Sequence, residues 1–408
     1  MNLYVFFCFT IKDVGGAQLY IRKKTEYLQK KGWSVKCVYA LDGESLIDDL
    51  CSIDSMRVQE MHFRTNYYSK LRRKNIVSKL IDFLGSGYEA VIVESHSLSL
   101  TSWAELVSKK INARHLVYNI NEIVRCPKEY FDYYSFKCNR RELKGIKPES
   151  IPMFFSGYSH NMNVMDTCLS AYGARECIFD VKYDVPDFGG NYTIGVVGRL
   201  DKGFVKDTFE EIGKFLNQYK DISFNVVYVG GEMSINHEIQ KQLKKYYQKN
   251  HNNVQVYFTG YLFPIPKCLI ESFNVCVSGA GAANEVSRYL IPTITIDPLT
   301  LIPNGVLWVD TKATIFNDGS NVNNDSLSYY LEQVYKHPEN YNPKPVVKQG
   351  DLEEHLKALQ WCDSELLYHT RCFERTTISY LIKRLATFLF STKVLLRIGR
   401  LIMPMKQV

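Results

Sequence analysis

Predicted strands and helices alternate along most of the chain, and this alternation is the strongest constraint on its fold. The first series begins with a glycine-free apolar run at Leu3–Thr10 and continues to His115–Tyr118. Its predicted strands are Leu3–Thr10, Ser34–Tyr39, Val58–His62, Ala90–Glu94 and His115–Tyr118, with helices at Ala17–Lys31, Leu98–Ile111 and one ending near Leu84. Alternating strands and helices build a parallel sheet covered by helices. Residues 1–182 are therefore predicted to form a Rossmann-like α/β domain.

A second series of the same kind starts at Thr193. Its predicted strands are Thr193–Val197, Phe224–Val229, Val254–Thr259, Val275–Ser278 and Thr293–Ile296, with helices at Asp207–Tyr219, Ile235–Asn250, Pro266–Glu271 and around Glu285. The boundary is expected near Asp180–Gly190, where Asp, Pro and Gly cluster. The chain is thus predicted to have a second Rossmann-like domain, 183–370, facing the first across a cleft, and a helical tail, 371–408. Ligands of open α/β sheets bind at the carboxyl ends of the strands.

Composition narrows the class of protein. A length of 408 residues favours two domains, and 46% hydrophobic residues allow two cores. The net charge of +7 permits an anionic ligand or surface, but no Arg-rich arm or zinc-finger spacing accompanies it, so nucleic acid is not an expected partner. The eleven cysteines include no Cys-x-x-Cys pair. This usage is typical of a cytosolic protein with reduced, buried thiols. Neither a signal peptide nor a spanning helix is expected.

The segment Asn274–Pro292 predicts an anion site. It consists of a buried strand, a turn of small residues and a helix that we expect to open one or two residues before Glu285. Backbone N–H groups in the turn, from Ser278 through Gly279, Gly281 and Ala282, can approach an anion closely, and the helix start adds a positive dipole end. Glu285, expected in the first helical turn, would reach the group that carries the anion. The alternative is a turn that is small only because packing is tight.

Two further turns carry glycine next to a predicted strand end. Gly198 and Arg199 follow the first strand of the second domain, and Lys202 and Lys206 come shortly after. Arg and Lys at such a place can clamp a diphosphate, and the alternative is a solvated charged turn. In the first domain Gly15 and Gly16 follow the first strand, which indicates either close approach to a ligand or an ordinary tight turn.

In this order the motifs resemble those of glycosyltransferase family 4, whose members have the GT-B fold. The matching features are the Gly15-Gly16 turn, Gly198-Arg199-Leu200 with Lys202 or Lys206, the glycine-ended strands Val226–Gly231 and Phe258–Gly260, and Ser278 followed by Glu285 with Pro292 seven residues later. The resemblance covers roughly residues 3–300.

The resemblance implies an enzyme that moves a sugar from a nucleoside diphosphate sugar, UDP- or GDP-linked, to a hydroxyl of a lipid-linked or growing glycan. Retention at the anomeric carbon, hexosyl transfer, no metal and no cofactor beyond the donor are also implied. Arg199 and Lys206 (or Lys202) would offset charge on the leaving diphosphate, and Glu285 would hold the ribose. His96 and Glu122 follow two strands of the first domain, where family members carry groups near donor and acceptor. A helix cap or a surface position is the alternative for both.

Two departures from the family pattern open a second hypothesis. The family usually has two glutamates separated by seven residues, and Val277 stands where the first would be. The glycine that follows the second glutamate is also missing, with Leu290 near its place. A non-catalytic GT-B-like scaffold in a glycan assembly complex is therefore the alternative. A nucleotide-sugar 2-epimerase of related fold is a third possibility.

Basic and apolar residues are mixed in two segments. Arg64–Lys74 is basic and aromatic, and Ile378–Met405 combines Leu, Ile and Phe with five Lys or Arg and no acidic residue. Ile378–Met405 is predicted to form a basic amphipathic helix, which is typical of the membrane interface, although its first half could instead pack back on the first domain. We expect a peripheral protein of polysaccharide biosynthesis on the cytoplasmic face of an anionic membrane. A solvated face is the alternative for Arg64–Lys74.

Overall fold

The computed structural model describes residues 1–11, 14–41, 47–121, 124–158, 168–169, 176–232, 237–346, 352–360 and 378–402. The chain divides into two compact units. One comprises Met1–Ala174 together with Gln349–Val408, and the other comprises Arg175–Lys348. The sequence-based boundaries were 182/183 and 370/371, so the second unit begins earlier along the chain and ends earlier than expected.

The first unit contains a six-stranded parallel sheet in the order β3-β2-β1-β4-β5-β6. Its strands are β1 (Leu3–Cys8), β2 (Ser34–Tyr39), β3 (Asp54–Arg57), β4 (Val91–Ser95), β5 (Arg114–Asn119) and β6 (Leu143–Gly145). Its helices up to this point are α1 (Gly16–Lys30), α2 (Asp48–Cys51), α3 (Lys70–Leu84), α4 (Leu98–Ile111), α5 (Phe131–Asn139) and α6 (Ser150–Phe154). Every residue of β1 is buried, as in a parallel sheet with both faces covered.

The strand predicted at Val58–His62 is wrong by several residues. The structure has β3 at Asp54–Arg57 and a short 3₁₀ helix at Gln59–His62. β3 is an edge strand that is mostly exposed, so its residues lack the apolar pattern that identifies a buried strand. The apolar signal came instead from Met61, which is buried from within the 3₁₀ helix.

The second unit contains another six-stranded sheet, in the order β10-β9-β8-β12-β13-β14. Its pairs are parallel except β13 with β14, and β7 and β11 form a separate two-stranded sheet. The strands are β7 (Ile178–Phe179), β8 (Tyr192–Val197), β9 (Phe224–Val229), β10 (Val254–Phe258), β11 (Ile265–Pro266), β12 (Val275–Ser278), β13 (Thr293–Ile296) and β14 (Pro303–Val306). The helices are α7 (Gly203–Lys206), α8 (Phe209–Gln218), α9 (Glu238–Asn250), α10 (Lys267–Glu271), α11 (Ala280–Ser287) and α12 (Leu327–Lys336).

Helix α11 begins earlier than the sequence indicated. It opens at Ala280, directly after the extended Gly279, so Glu285 lies in the second helical turn and not in the first. The expectation of a start one or two residues before Glu285 was therefore wrong. The physical reason is that small residues are compatible with a helix as well as with a turn, and alanine is the best helix former.

The C-terminal helices belong to the first unit. They are α13 (Leu352–Gln360), α14 (Ile378–Leu389) and α15 (Thr392–Ile402). α13 packs on α1, where His355 Nδ1 lies 3.2 Å from the Tyr20 hydroxyl and Glu353 pairs with Lys31 at 3.2 Å. α14 contacts Thr65–Tyr67 and α3, and α15 contacts Gln59–His62 and α3. Within the described ranges, no helix combines the length and apolar character needed to cross a bilayer.

Candidate functional site

The second sheet has its topological switch point between β8 and β12. From β8 the chain builds β9 and β10 on one side and β12 and β13 on the other. Val197 and Ser278 are paired residues at the carboxyl ends of these two strands. Gly198 and Gly279 follow them, so the two turns leave the sheet side by side in opposite directions. This is where open α/β sheets bind their ligands.

Close backbone approach at this edge requires glycine. Gly198 has φ +154°, and a Cβ added there would lie 3.1 Å from the Phe204 ring. Gly279 packs on the same ring, at 3.4 Å from its ideal Cβ position. A Cβ on Gly230, at the end of β9, would lie 2.2 Å from the carbonyl oxygen of Gly198, and Gly230 also forms a bridge with Gly260. Four glycines from four strand ends thus lie at this edge, and two of them, Gly198 and Gly279, pack on one ring.

Arg199 is held at the switch point by a carboxylate. Its Nε lies 3.1 Å from Oδ1 of Asp201, which is almost fully buried, while the Arg199 side chain is a quarter exposed. Lys202 precedes α7 and is exposed, and Lys206 ends that helix with its Nζ 4.0 Å from Asp207. Asp201 was not identified from the sequence, although its position two residues after Arg199 was a usable signal. The turn therefore presents a fixed guanidinium and two exposed lysines.

The start of α11 supplies backbone donors next to Arg199's turn. Gly279 is the N-cap residue, and Gly281 and Ala282 lie half-buried in the first turn, where N–H groups have no intrahelical partner. The N–H of Ala280 donates to Thr314 O at 2.6 Å. The Ser278 side chain is fully buried and donates to Val197 O at 2.8 Å, so it joins β12 to β8.

Glu285 is buried beside an arginine. Its Oε1 accepts a hydrogen bond from Arg288 at 3.1 Å, and it also accepts from the backbone N–H of Cys177. Burial raises the pKa of Glu285, and Arg288 opposes that shift. Sequence reasoning missed Arg288, although it stands one helical turn after Glu285, at the spacing that brings side chains together. The carboxylate is thereby fixed in orientation.

The first sheet has its own switch point between β1 and β4. Phe7 and Ser95 pair near the ends of these strands. After β1, Gly15 caps α1 in an extended conformation and Gly16 is the first helical residue. After β4, the N–H of His96 donates to Phe7 O at 3.1 Å. Gly15 and Gly16 therefore follow β1, and His96 follows the neighbouring strand β4.

Behind this point lies a buried charge network. Lys24 Nζ is 2.6 Å from Glu94 Oε2, and His96 Nε2 is 2.6 Å from Glu94 Oε1. Burial raises the pKa of Glu94, but Lys24 and His96 outweigh it and hold the pKa well below its usual range. The ionised carboxylate of Glu94 accepts a hydrogen bond from the Nε2–H of His96, so the Nδ1 of His96 does not contact Glu94. That Nδ1 is buried without a hydrogen-bond partner among the described residues.

Glu122, the other candidate in this unit, lies outside the described residues. Its strand is present, since β5 ends at Asn119.

A second constellation resembles a nucleophile triad in its geometry. Ser95 Oγ lies 2.9 Å from His115 Nε2, and His115 Nδ1 lies 2.5 Å from Glu105 Oε2. All three side chains are buried, and Lys137 also contacts Glu105 at 2.7 Å. Burial, followed by the charge of Lys137, lowers the pKa of His115. The three side chains are closed to solvent, and with Lys137 they tie β4, β5, α4 and α5 together.

Among the residues that the structure describes, no group of three or more His, Cys, Asp or Glu side chains is placed to hold a metal ion.

Comparison with solved structures identifies the class of fold. The HepE protein of Anabaena, solved with UDP and glucose, is similar over 88% of this chain and 96% of its own, with a TM-score of 0.56 and 12% identity. A glycosyltransferase of Rickettsia africae is similar over 96% of this chain and 98% of its own, with a TM-score of 0.53 and 14% identity. A putative UDP-N-acetylglucosamine 2-epimerase of Listeria monocytogenes is similar over 88% of this chain and 95% of its own, with a TM-score of 0.53 and 13% identity.

The chain therefore has the GT-B fold, as predicted. That fold serves transferases and an epimerase alike, so it does not by itself define a reaction. No protein-family model and no curated protein matches the chain, and the likeness to glycosyltransferase family 4 stays a resemblance.

Proposed function

We propose that this chain is a glycosyltransferase that takes its sugar from a nucleoside diphosphate sugar, UDP- or GDP-linked. The observation that carries the proposal is the switch point between β8 and β12. Two glycine turns packed on one ring, the guanidinium of Arg199 and the start of α11 meet at adjacent strand ends. Backbone donors, a helix start and a fixed Arg are the groups that bind a diphosphate.

In the proposed reaction, Arg199 with Lys206 or Lys202 offsets the charge that develops on the leaving diphosphate. The N–H groups of the first turn of α11 share this load. Gly198 and Gly260 allow the donor to approach the backbone. Asp201 keeps the guanidinium in place before the donor arrives, so little reorganisation is needed at the moment of reaction.

Glu285 binds the ribose hydroxyls in this proposal. Arg288 and the Cys177 N–H hold its carboxylate in one orientation. In the first unit, Gly15 and Gly16 line the turn after β1, and His96 and Glu122 serve the acceptor side. The Nδ1 of His96 supports this role, because it has no hydrogen-bond partner among the described residues and buried polar groups are nearly always hydrogen-bonded. His96 as a whole is only half-buried, so in this proposal a substrate group supplies the partner.

The acceptor is a hydroxyl of a lipid-linked or growing glycan, and the enzyme works on the cytoplasmic face of an anionic membrane in polysaccharide biosynthesis. Hexosyl transfer proceeds with retention and without a metal. Proton NMR of the first product formed gives the anomeric configuration, and turnover in the presence of a chelator tests the metal requirement. An inverted product or a loss of turnover with chelator would remove the corresponding part of the proposal.

Arg199→Ala tests the core of the proposal. Donor turnover should fall by at least ~100-fold, because one preorganised donor to the leaving group is lost. Lys249→Ala is the matched control, since Lys249 is exposed in the same unit at the end of α9, next to the amino ends of the strands. Both variants should keep the circular dichroism of the parent chain. Equal turnover of the Arg199 variant and the parent would refute the assignment.

One observation favours a non-catalytic scaffold as the second candidate. Val277 stands where the family's first glutamate is expected, and it is fully buried inside β12. Calorimetry with a panel of UDP- and GDP-sugars separates the two candidates. Binding followed by turnover supports the enzyme, and the absence of binding by folded protein supports the scaffold.

A further inference from the structure

Helix α14 is attached to its unit by polar groups. Its buried positions, Tyr380 and Thr387, are seven residues apart and lie on one face. The Tyr380 hydroxyl donates to Asn66 O at 3.1 Å, and the Thr387 hydroxyl donates to Tyr67 O at 2.6 Å. The guanidinium of Arg72 donates to the carbonyl oxygen of Thr387 at 3.1 Å. Hydroxyls and backbone carbonyls hold the helix.

The opposite face of α14 is apolar and exposed. Positions spaced three and four apart form one face of a helix. On α14 that face consists of large apolar side chains with 54% to 80% of their surface exposed: Ile378, Leu381, Ile382, Leu385, Phe388 and Leu389. We call these six residues the outward face. A surface helix normally buries its apolar side and exposes its polar side, and α14 does the reverse.

A continuous apolar face of this kind marks an interaction surface. Its surroundings are positively charged. Between 378 and 402 the chain has five Lys or Arg residues and no Asp or Glu. Helix α3 begins beside the end of α14, as the contact between Arg72 and Thr387 shows, and its first five residues include Lys70, Arg73 and Lys74 as well as the exposed Leu71.

An apolar face on a helix whose charged residues are all cations matches one partner best. An amphipathic helix in a membrane interface places its apolar side at the acyl boundary and its Lys and Arg side chains among anionic headgroups. We propose that the outward face of α14 lies flat on a bilayer containing anionic lipids. The role given to this contact, access to a lipid-linked acceptor, rests on the proposed function, whereas the contact itself does not.

Vesicle co-sedimentation of the full chain tests the proposal. Phosphatidylcholine vesicles with phosphatidylglycerol should bind the protein more tightly than phosphatidylcholine alone, and salt should weaken the binding. The double variant Leu385→Glu with Phe388→Glu should weaken binding by at least ~tenfold. Its parent side chains are 58% and 77% exposed, so the fold is not perturbed. Val322→Glu is the matched control, because Val322 is 82% exposed in the other unit, and its binding should equal that of the parent.

Three results would overturn the proposal. They are no binding of the parent chain to either vesicle, equal binding of the double variant and the parent, and a lipid-free dimer that the double variant converts to monomer in sedimentation velocity. The last would assign the outward face to a second copy of the chain. Calorimetry with the same panel of UDP- and GDP-sugars on these samples keeps the two proposals apart. Vesicle binding without donor binding would contradict the nucleoside diphosphate sugar assignment alone. Donor binding without vesicle binding would contradict the membrane contact, and with it the membrane location in the proposed function, but not the donor assignment.

Discussion

Replacing Gly230 by alanine tests whether the candidate site depends on backbone contact between two strand ends. An added Cβ would lie 2.2 Å from the carbonyl oxygen of Gly198 and 2.7 Å from its carbonyl carbon. These are backbone atoms, so no side-chain rotation can relieve the overlap. The φ angle of +146° is also one that only glycine adopts readily.

The cost of the positive φ and the cost of the steric overlap can be separated. Adopting a positive φ costs an alanine about 1–2 kcal/mol, and forcing an extra carbon into a packed region costs about 1–3 kcal/mol. Gly230→Ala should therefore lower the free energy of unfolding by about 3 kcal/mol. Gly260→Ala is the control, because Gly260 bridges Gly230 and has φ +67°, but no heavy atom lies within 4 Å of its Cβ position. It should lose only about 1 kcal/mol.

Guanidinium unfolding followed by far-ultraviolet circular dichroism measures both variants. UDP-glucose calorimetry adds a functional readout, since moving Gly198 also moves Arg199. The Gly230 variant should bind the donor more weakly than the parent chain does. Equal losses of stability in the two variants would show that the contact with Gly198 has no energetic weight, and the argument for a glycine-dependent site would fail.

Two further substitutions test the buried charge and the strained turn. Glu94→Gln on β4 leaves the Lys24 ammonium buried without a counter-charge and should cost about 3 kcal/mol at pH 7 in urea unfolding. Glu26→Gln is the control, because Glu26 lies on the same helix as Lys24 but its side chain is 41% exposed, and it should cost under ~0.5 kcal/mol. The folded-state pKa of Glu94 is lowered, so the difference in unfolding free energy between the parent and the Glu94 variant should be largest above the ordinary pKa of 4.5. It should shrink as the pH falls below that value, and a difference that stays constant would contradict the pairing. Leu290 has φ +61° and is 57% exposed, so Leu290→Gly should raise the midpoint of thermal unfolding, by the equivalent of ~0.5–1 kcal/mol, and a lower midpoint would refute the strain.

The sequence predicted the secondary structure correctly where an element has an apolar pattern of its own. The bounds of β2 (Ser34–Tyr39) and α4 (Leu98–Ile111) agree with prediction to the residue, because each has a continuous or periodic apolar pattern between clear stops. β14 was missed. It contains Pro303, Asn304 and Gly305 and pairs antiparallel at the edge of the sheet, so its strand character comes from its partner β13 rather than from its own residues.

The position of the candidate site was predictable from the sequence, but the side chains that hold it in place were not. Parallel strand order places the turns after β8 and β12 together, and the glycines that begin them were visible. The ring of Phe204 beneath both turns and the pairing of Arg199 with Asp201 depend on side-chain directions that sequence spacing does not give. Lys24 shows the same limit. A lysine on a helix normally indicates a solvent face, but here its partner Glu94 comes from a strand 70 residues away.

The absent glutamate at Val277 can be understood from β12 itself. Val277 pairs with Val196 on one side and Ile294 on the other and is fully buried. A carboxylate there would lose its hydration without gaining a counter-charge, at a cost of several kcal/mol. The proposed diphosphate contacts come from Gly198, Arg199 and the backbone of α11, and none of them needs an acid at position 277. Loss of that acid therefore weakens the argument for a particular sugar, and it leaves the argument for a nucleoside diphosphate unchanged.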